Sequence, residues 1–185
     1  AYARTCDGLN EDKLYRLHTI GARNAGVAIG GYQFGHPSMS VKDCAEFFLS
    51  LVSMVELRPV VDLETLSQGH VPDNAGEWAD QWCELVKAAM LSLWPDSVNA
   101  RRGPIVYAST SYMAVMRDQK RSAFGPTGWD WWDAEYRAGV GVHGDPTQPM
   151  RAGAIAWQYS GDVAIKGQVG LFDEDVAADL DRLRV

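Results

Sequence analysis

Short apolar runs of β type alternate with helical repeats through the first two thirds of this chain, and that order leaves few architectures open. Residues 1–6, 27–34, 58–64 and 104–108 read as strands. Between and after them, residues 12–24, 41–51, about 75–93 and 111–117 carry apolar side chains at helical spacing, the second stretch opened by Ser40, a good N-cap. A β-α-β-α order predicts a parallel sheet with helices outside it, either open or closed into a barrel. Beyond residue 130 the pattern changes. Residues 130–136, 154–159 and 169–173 are strand-like without convincing helices between them, so antiparallel closure is expected there, followed by a helical stretch over 176–183. No internal repeat, linker or low-complexity tract divides the chain, which predicts one domain over residues 1–185.

Composition narrows the functional classes. With 46% hydrophobic and 22% charged residues, a chain of 185 residues can bury an ordinary globular core. The net charge of −7 argues against nucleic-acid partners, because affinity for phosphate backbones comes largely from Lys and Arg. No window approaches the ~18 apolar residues of a membrane span, so no membrane insertion is expected. Cys6, Cys44 and Cys83 are odd in number and far apart, which predicts reduced, buried thiols and neither a disulfide framework nor a zinc site. The four His are scattered, and His36 and His70 read as solvated loop residues; no metal and no other cofactor is expected. No G-x-S-x-G occurs, and Ser109-Thr110-Ser111 resembles a helix N-cap cluster rather than a nucleophile site.

The chemistry gathers at the strand ends. Arg58-Pro59-Val60-Val61-Asp62-Leu63-Glu64 is an apolar strand leaving two carboxylates at i and i+2, hence on one face, with backbones roughly 6–7 Å apart. Such a pair can serve a glycosidic bond, one carboxyl donating a proton and the other steadying an oxocarbenium ion. A D-x-E pair also occurs where a strand simply emerges into water. In sheets of this kind functional residues collect beyond the C-terminal strand ends, and here those ends hold Thr5 and Asp7, Tyr32 to Phe34, Tyr107, Trp132 to Tyr136, Gln158, Tyr159 and Asp173 beside the pair. Aromatic faces stack on pyranose rings while carboxylates and amides address hydroxyls, so the set suits a saccharide cleft, although each single ring is equally at home in a core. Asp173 admits two readings, a cleft carboxylate or the cap of the following helix.

In order along the chain, these segments resemble glycoside hydrolase family 25, the Chalaropsis-type lysozymes that include many phage endolysins. Residues 1–8 sit where the family has "ikateG", and Gly30-Gly31-Tyr32-Gln33-Phe34 resembles "GaYhf". Pro59-Val60-Val61-Asp62-Leu63-Glu64 matches "pvlDvE", Pro104-Ile105-Val106-Tyr107-Ala108-Ser109 resembles "piiYts", and Trp132-Asp133-Ala134-Glu135-Tyr136 resembles "lWiA.Y". Trp157-Gln158-Tyr159-Ser160 and the run to Asp173 resemble "WQYt" and "vDln". The resemblance implies an irregular TIM-like (β/α)5β3 barrel and an N-acetylmuramidase that cleaves, with retention, the β-1,4 bond between N-acetylmuramic acid and N-acetylglucosamine. Glu64 would be the general acid/base, Asp62 its electrostatic or neighbouring-group partner and Asp173 a further acid. Tyr32, Gln33, Tyr107, Trp132, Tyr136, Gln158 and Tyr159 would line the sugar subsites. The partner implied is the peptidoglycan glycan strand, and the place of action the bacterial cell wall, reached by a phage-encoded or secreted protein.

Two departures from the family accompany the match. The family's first strand, with an additional active-site Asp, has no counterpart from Ala1 onward, and Gln33 stands where His is usual. Three explanations fit the first departure: the chain is a fragment, a second segment or chain supplies the strand, or the protein is a degenerate barrel that binds glycan without cleaving it.

Overall fold

The computed structural model describes residues 1–52, 55–64, 70–120, 123–124, 128–135, 147, 150–164 and 172–185. Eight strands form one sheet: β1 (Tyr2–Asp7), β2 (Asn10–Glu11), β3 (Gly30–Phe34), β4 (Val60–Leu63), β5 (Ile105–Ser109), β6 (Asp130–Ala134), β7 (Ala154–Val163) and β8 (Phe172–Ala177). Their order is β2-β1-β3-β4-β5-β6-β7-β8. Pairing is parallel from β1 through β7, while β2 with β1 and β7 with β8 are antiparallel. The antiparallel element expected after residue 130 is thus confined to β8, since β6 and β7 run parallel.

Five helices complete the pattern: α1 (Tyr15–Asn24), α2 (Val41–Leu51), α3 (Ala75–Leu93), α4 (Val98–Arg102) and α5 (Thr110–Gln119). Ser40, Ser97 and Ser109 accept from the backbone N–H of Asp43, Ala100 and Tyr112, each capping a helix start. The two cores follow from strand alternation. Val61, Leu63, Val106, Ala108 and Trp131 face outward and pack with Cys44, Phe48, Trp82, Cys83, Val86 and Met116 of the helices. The inward residues Val60, Ile105 and Ile155 meet Leu57 and Leu183, with Tyr2, Tyr32, Tyr107 and Trp132 packed above them. Gly30 makes room for that inner layer, because a Cβ there would overlap the ring of Tyr2. Cys6, Cys44 and Cys83 are free, buried thiols.

Arg58 ties the floor of the sheet together. Fully buried, it donates from Nε to Gly103 O at 2.7 Å, from Nη1 to Asp130 Oδ2 at 2.7 Å and Arg182 O at 2.9 Å, and from Nη2 to Pro104 O at 3.3 Å. The helix expected over 176–183 is absent. Val176 and Ala177 instead continue β8, paired with Trp157 and Ala156, and only Leu180–Leu183 turn, as a 3-10 helix capped by Asp179. Pairing with β7 satisfies those backbone groups within the sheet, and the helical spacing of a few apolar residues does not compete with it.

The sheet curls without closing: among the described residues no hydrogen bonds join β8 to β1 or β2. The ring of Tyr2 on β1 nonetheless meets that of Trp132 on β6 at 5.2 Å across the concave face. No described helix is long and apolar enough to cross a membrane.

Candidate active site

The register of β4 fixes the carboxylate pair. Asp62 lies opposite Phe34 on one side and Tyr107 on the other, in phase with inward-facing Val60, and Glu64 follows just past the strand. Asp62 is half-buried, and its Oδ1 has no hydrogen-bond partner among the described residues. Burial pushes its pKa well above the usual carboxylate range, and the charge of Glu64 adds to that; Arg4 opposes, while Asp173 and Asp7 push further upward. Glu64 is more open to solvent. Its pKa is raised as well, first by burial of the carboxyl end and then by Asp173, against a hydrogen bond from Tyr107. Both carboxyls are thus displaced upward, burial first in each case, and both feel the charge of Asp173.

Aromatic and amide groups wall this pair. Tyr32 feels the charges of Asp62, Arg4, Asp173 and Glu64, and burial followed by Asp62 lifts its phenol to about 12. The Tyr107 hydroxyl donates to Gln158 Oε1 and also lies in hydrogen-bonding reach of Glu64. A phenol has one proton, so when it donates to Glu64 the Gln158 amide must turn its NH2 toward the phenol oxygen. Trp132 packs edge-on against Tyr107, with centroids 5.8 Å apart, and its indole Nε1 donates to Asp175 Oδ1 at 3.0 Å. Asp175 is exposed on β8, yet the protein around its carboxyl group displaces enough water to disfavour the charged form. That desolvation, with Asp173 adding and the Trp132 bond opposing, raises it to about 7.

The expected site residues divide clearly. Asp62, Glu64, Tyr32, Tyr107, Trp132 and Gln158 share the concave face toward the C-terminal ends of the parallel strands, and Asp173, at the start of antiparallel β8, adds its charge to theirs. Asp173 is on β8 and caps no helix. Gln33 does not belong to the cleft. Its alternation on β3 turns it toward the helices, where it is fully buried, donates to Gly8 O and Cys44 O and accepts from Trp82 Nε1 at 2.6 Å. Tyr159 is half-buried beside Trp157, at 5.6 Å. Tyr136 lies outside the described residues.

Three residues of the site escaped the sequence reading. Arg4, on the inner face of β1, is held by Asp12 at 3.0 Å and is the cation nearest Asp62. His36, expected in solvent, lies 2.5 Å from Asp7 at the rim of the cleft, against Phe34. Asp175 was missed because its segment reads as the start of a helix; as a strand, the D-x-D of Asp173 and Asp175 puts both on one face. A charged residue in phase with the aromatic face of a first strand, as Arg4 is with Tyr2, was the available signal for a polar barrel interior.

Comparison with known proteins agrees with this geometry. The structure superposes on the spore cortex lytic enzyme SleM of Clostridium perfringens with a TM-score of 0.72 at 18% identity, covering 99% of this chain and 61% of that one. It superposes on a family 25 glycosyl hydrolase of Bacillus anthracis with a TM-score of 0.71 at 17% identity, covering 100% and 82%. For the lysozyme of Streptomyces coelicolor the TM-score is 0.69 at 22% identity, covering 97% and 81%. The chain therefore has the irregular TIM-like barrel fold of these proteins, with its sheet open, and spans less than two thirds of the SleM chain. Curated protein sequences give no significant match. The profile of glycosyl hydrolases family 25 matches residues 1–168, and the chain belongs to that family.

Proposed function

We propose that this chain is the catalytic part of a peptidoglycan N-acetylmuramidase that hydrolyses the β-1,4 bond between N-acetylmuramic acid and N-acetylglucosamine with retention. The observation that carries the reading is the Asp62–Glu64 pair, both members with raised pKa, set in a cleft walled by Tyr32, Tyr107 and Trp132. Glu64, the more open of the two, acts as general acid toward the leaving oxygen and then as base toward water. To act as a carboxylate, Asp62 must give up the proton that its burial favours, and Arg4 and the positive charge developing on the sugar both pull in that direction. The charge of Asp173 adds to burial in favouring the protonated form of Glu64. Relatives described as lysozyme and as a spore cortex lytic enzyme support a bacterial cell-wall substrate, reached by a phage-encoded or secreted protein.

The test is release of reducing ends from purified peptidoglycan. Glu64→Gln, nearly isosteric and at an exposed position, is expected to lower the rate at least ~100-fold without lowering the thermal transition. A variant within a few-fold of the parent would remove Glu64 from the chemistry.

One observation favours a second partner besides glycan. Among the described residues the outer edge of β1 is paired only from Thr5 to Asp7, by β2 and the Asp12 N–H, and Leu14, Leu17 and Ile20 of α1 are 52%, 65% and 59% exposed. A further strand-bearing segment, of the same or another chain, would pair with that edge and cover those side chains. A barrel left open, binding glycan without cleaving it, is the alternative, and the same reducing-end assay separates the two.

A further inference from the structure

We propose that Asp175 is a positioning residue that sets the orientation of the Trp132 ring and, through it, the affinity of the cleft for sugar. The substrate part of this inference rests on the glycan reading above; the residue-to-ring part does not. Trp132 is half-buried, and three contacts define its pose. Tyr2 meets it at 5.2 Å with an interplanar angle of 64°, Tyr107 meets it at 5.8 Å and 83°, and Asp175 Oδ1 accepts its Nε1–H at 3.0 Å. The two ring contacts do not by themselves choose between the orientations of the indole about χ2. The hydrogen bond fixes that remaining freedom, because Nε1 marks one point on the ring edge. Asp175 is itself held, paired across the sheet with Gln158, whose amide meets Tyr107. The indole, the phenol and the carboxyl therefore form one closed set of contacts spanning β5 to β8.

The strength of the Nε1 bond depends on charge. A carboxylate accepts an indole N–H roughly twice as strongly as a neutral acid does. With its pKa lifted to about 7, Asp175 changes form in the range where an enzyme of neutral surroundings works. The groups around it are few. Asp173 on β8 is the facing charge that disfavours ionisation, Gln158 on β7 and Trp132 on β6 are neutral, and Asp62 and Glu64 stand at the end of β4 with Arg4 on β1 as the cleft cation. Rising pH therefore tightens the hold on Trp132, and falling pH relaxes it.

Two measurements test this. In 1H–15N spectra of the intact chain, the Trp132 indole N–H, assigned by its disappearance in Trp132→Phe, is expected to shift with a single midpoint near pH 7 and to stay fixed in Asp175→Asn. The second reads function. The KM for soluble uncrosslinked peptidoglycan strands is expected to rise about three- to ten-fold from pH 8 to pH 5.5 in the parent, the span between a charge-assisted and a neutral hydrogen bond. Asp175→Asn, held in the neutral form, should keep the higher KM across that range with a kcat close to the parent's. An indole signal that does not titrate in the parent, or that titrates equally in Asp175→Asn, overturns the proposal. So does a KM that follows pH alike in both proteins. Should the parent fail to cleave peptidoglycan, the enzymatic reading falls, and the indole titration alone decides whether Asp175 governs Trp132.

Discussion

Asp62 shows at one residue how a reactive group strains its own fold. Its folded pKa is raised above the unfolded value, so the native state holds the proton longer than the unfolded chain does, and stability falls as pH rises from about 4 toward the folded pKa. Asp62→Asn removes a desolvated carboxylate and is expected to raise Tm at pH 7 by a few degrees, at ~2–4 °C per kcal/mol, with no gain at pH 3 and with hydrolysis lost. Calorimetry at the two pH values decides it. Gln33 makes the opposite case. Gln33→Leu leaves the Trp82 N–H and the carbonyls of Gly8 and Cys44 without their partner, a cost of at least ~2 kcal/mol in urea denaturation, while KM stays at the parent value. The contrast explains what the sequence could tell at this scale. Asp62 and Glu64 were legible because period-2 alternation puts them in phase with Val60, whereas Gln33 was assigned to the cleft from its place in a motif, although the same alternation puts it with the outward residues of β3.

At the scale of elements, boundaries were readable wherever local chemistry and packing agree. α2 and α3 span the stretches expected, 41–51 and 75–93, because their apolar faces meet the sheet at the spacing the residues repeat. β8 was misread because the hydrogen bonds that hold it as a strand come from the preceding strand β7 and not from within its own run. The junction at Arg58 was equally invisible, as its partners come from the starts of β5 and β6 and from the last turn. Its acceptors are three carbonyls and one carboxylate, all met at once by a planar guanidinium. Arg58→Leu strands Asp130 beside Arg182 and leaves carbonyls unmet, so unfolding free energy should drop by about 3–5 kcal/mol. Arg58→Lys, which keeps the charge without the fork, is expected to recover less than half of that loss in the same urea titration.

The molecule as a whole concentrates raised acids in one place: Asp62, Glu64 and Asp175 all hold protons longer folded than unfolded. Each contributes stability that is complete below about pH 4 and declines as pH rises toward its folded pKa, about 7 for Asp175. Asp12, whose pKa is lowered by the Leu14 N–H, contributes in the other direction but is fully ionised in both states by pH 5. Tm should accordingly fall between pH 5 and pH 7, and a flat or rising curve over that interval would show that the cleft is better hydrated than its geometry indicates. The Arg58 junction has a further consequence, in time rather than energy. Its partner Arg182 lies 124 residues downstream. At about 5–20 residues per second, translation needs on the order of ten seconds to deliver that partner after Arg58 is made. Through that interval the apolar β4 has no finished floor to rest on, so the inner layer is completed only when Arg182 arrives, and a ribosome-bound chain stalled before it is expected to bind holding chaperones.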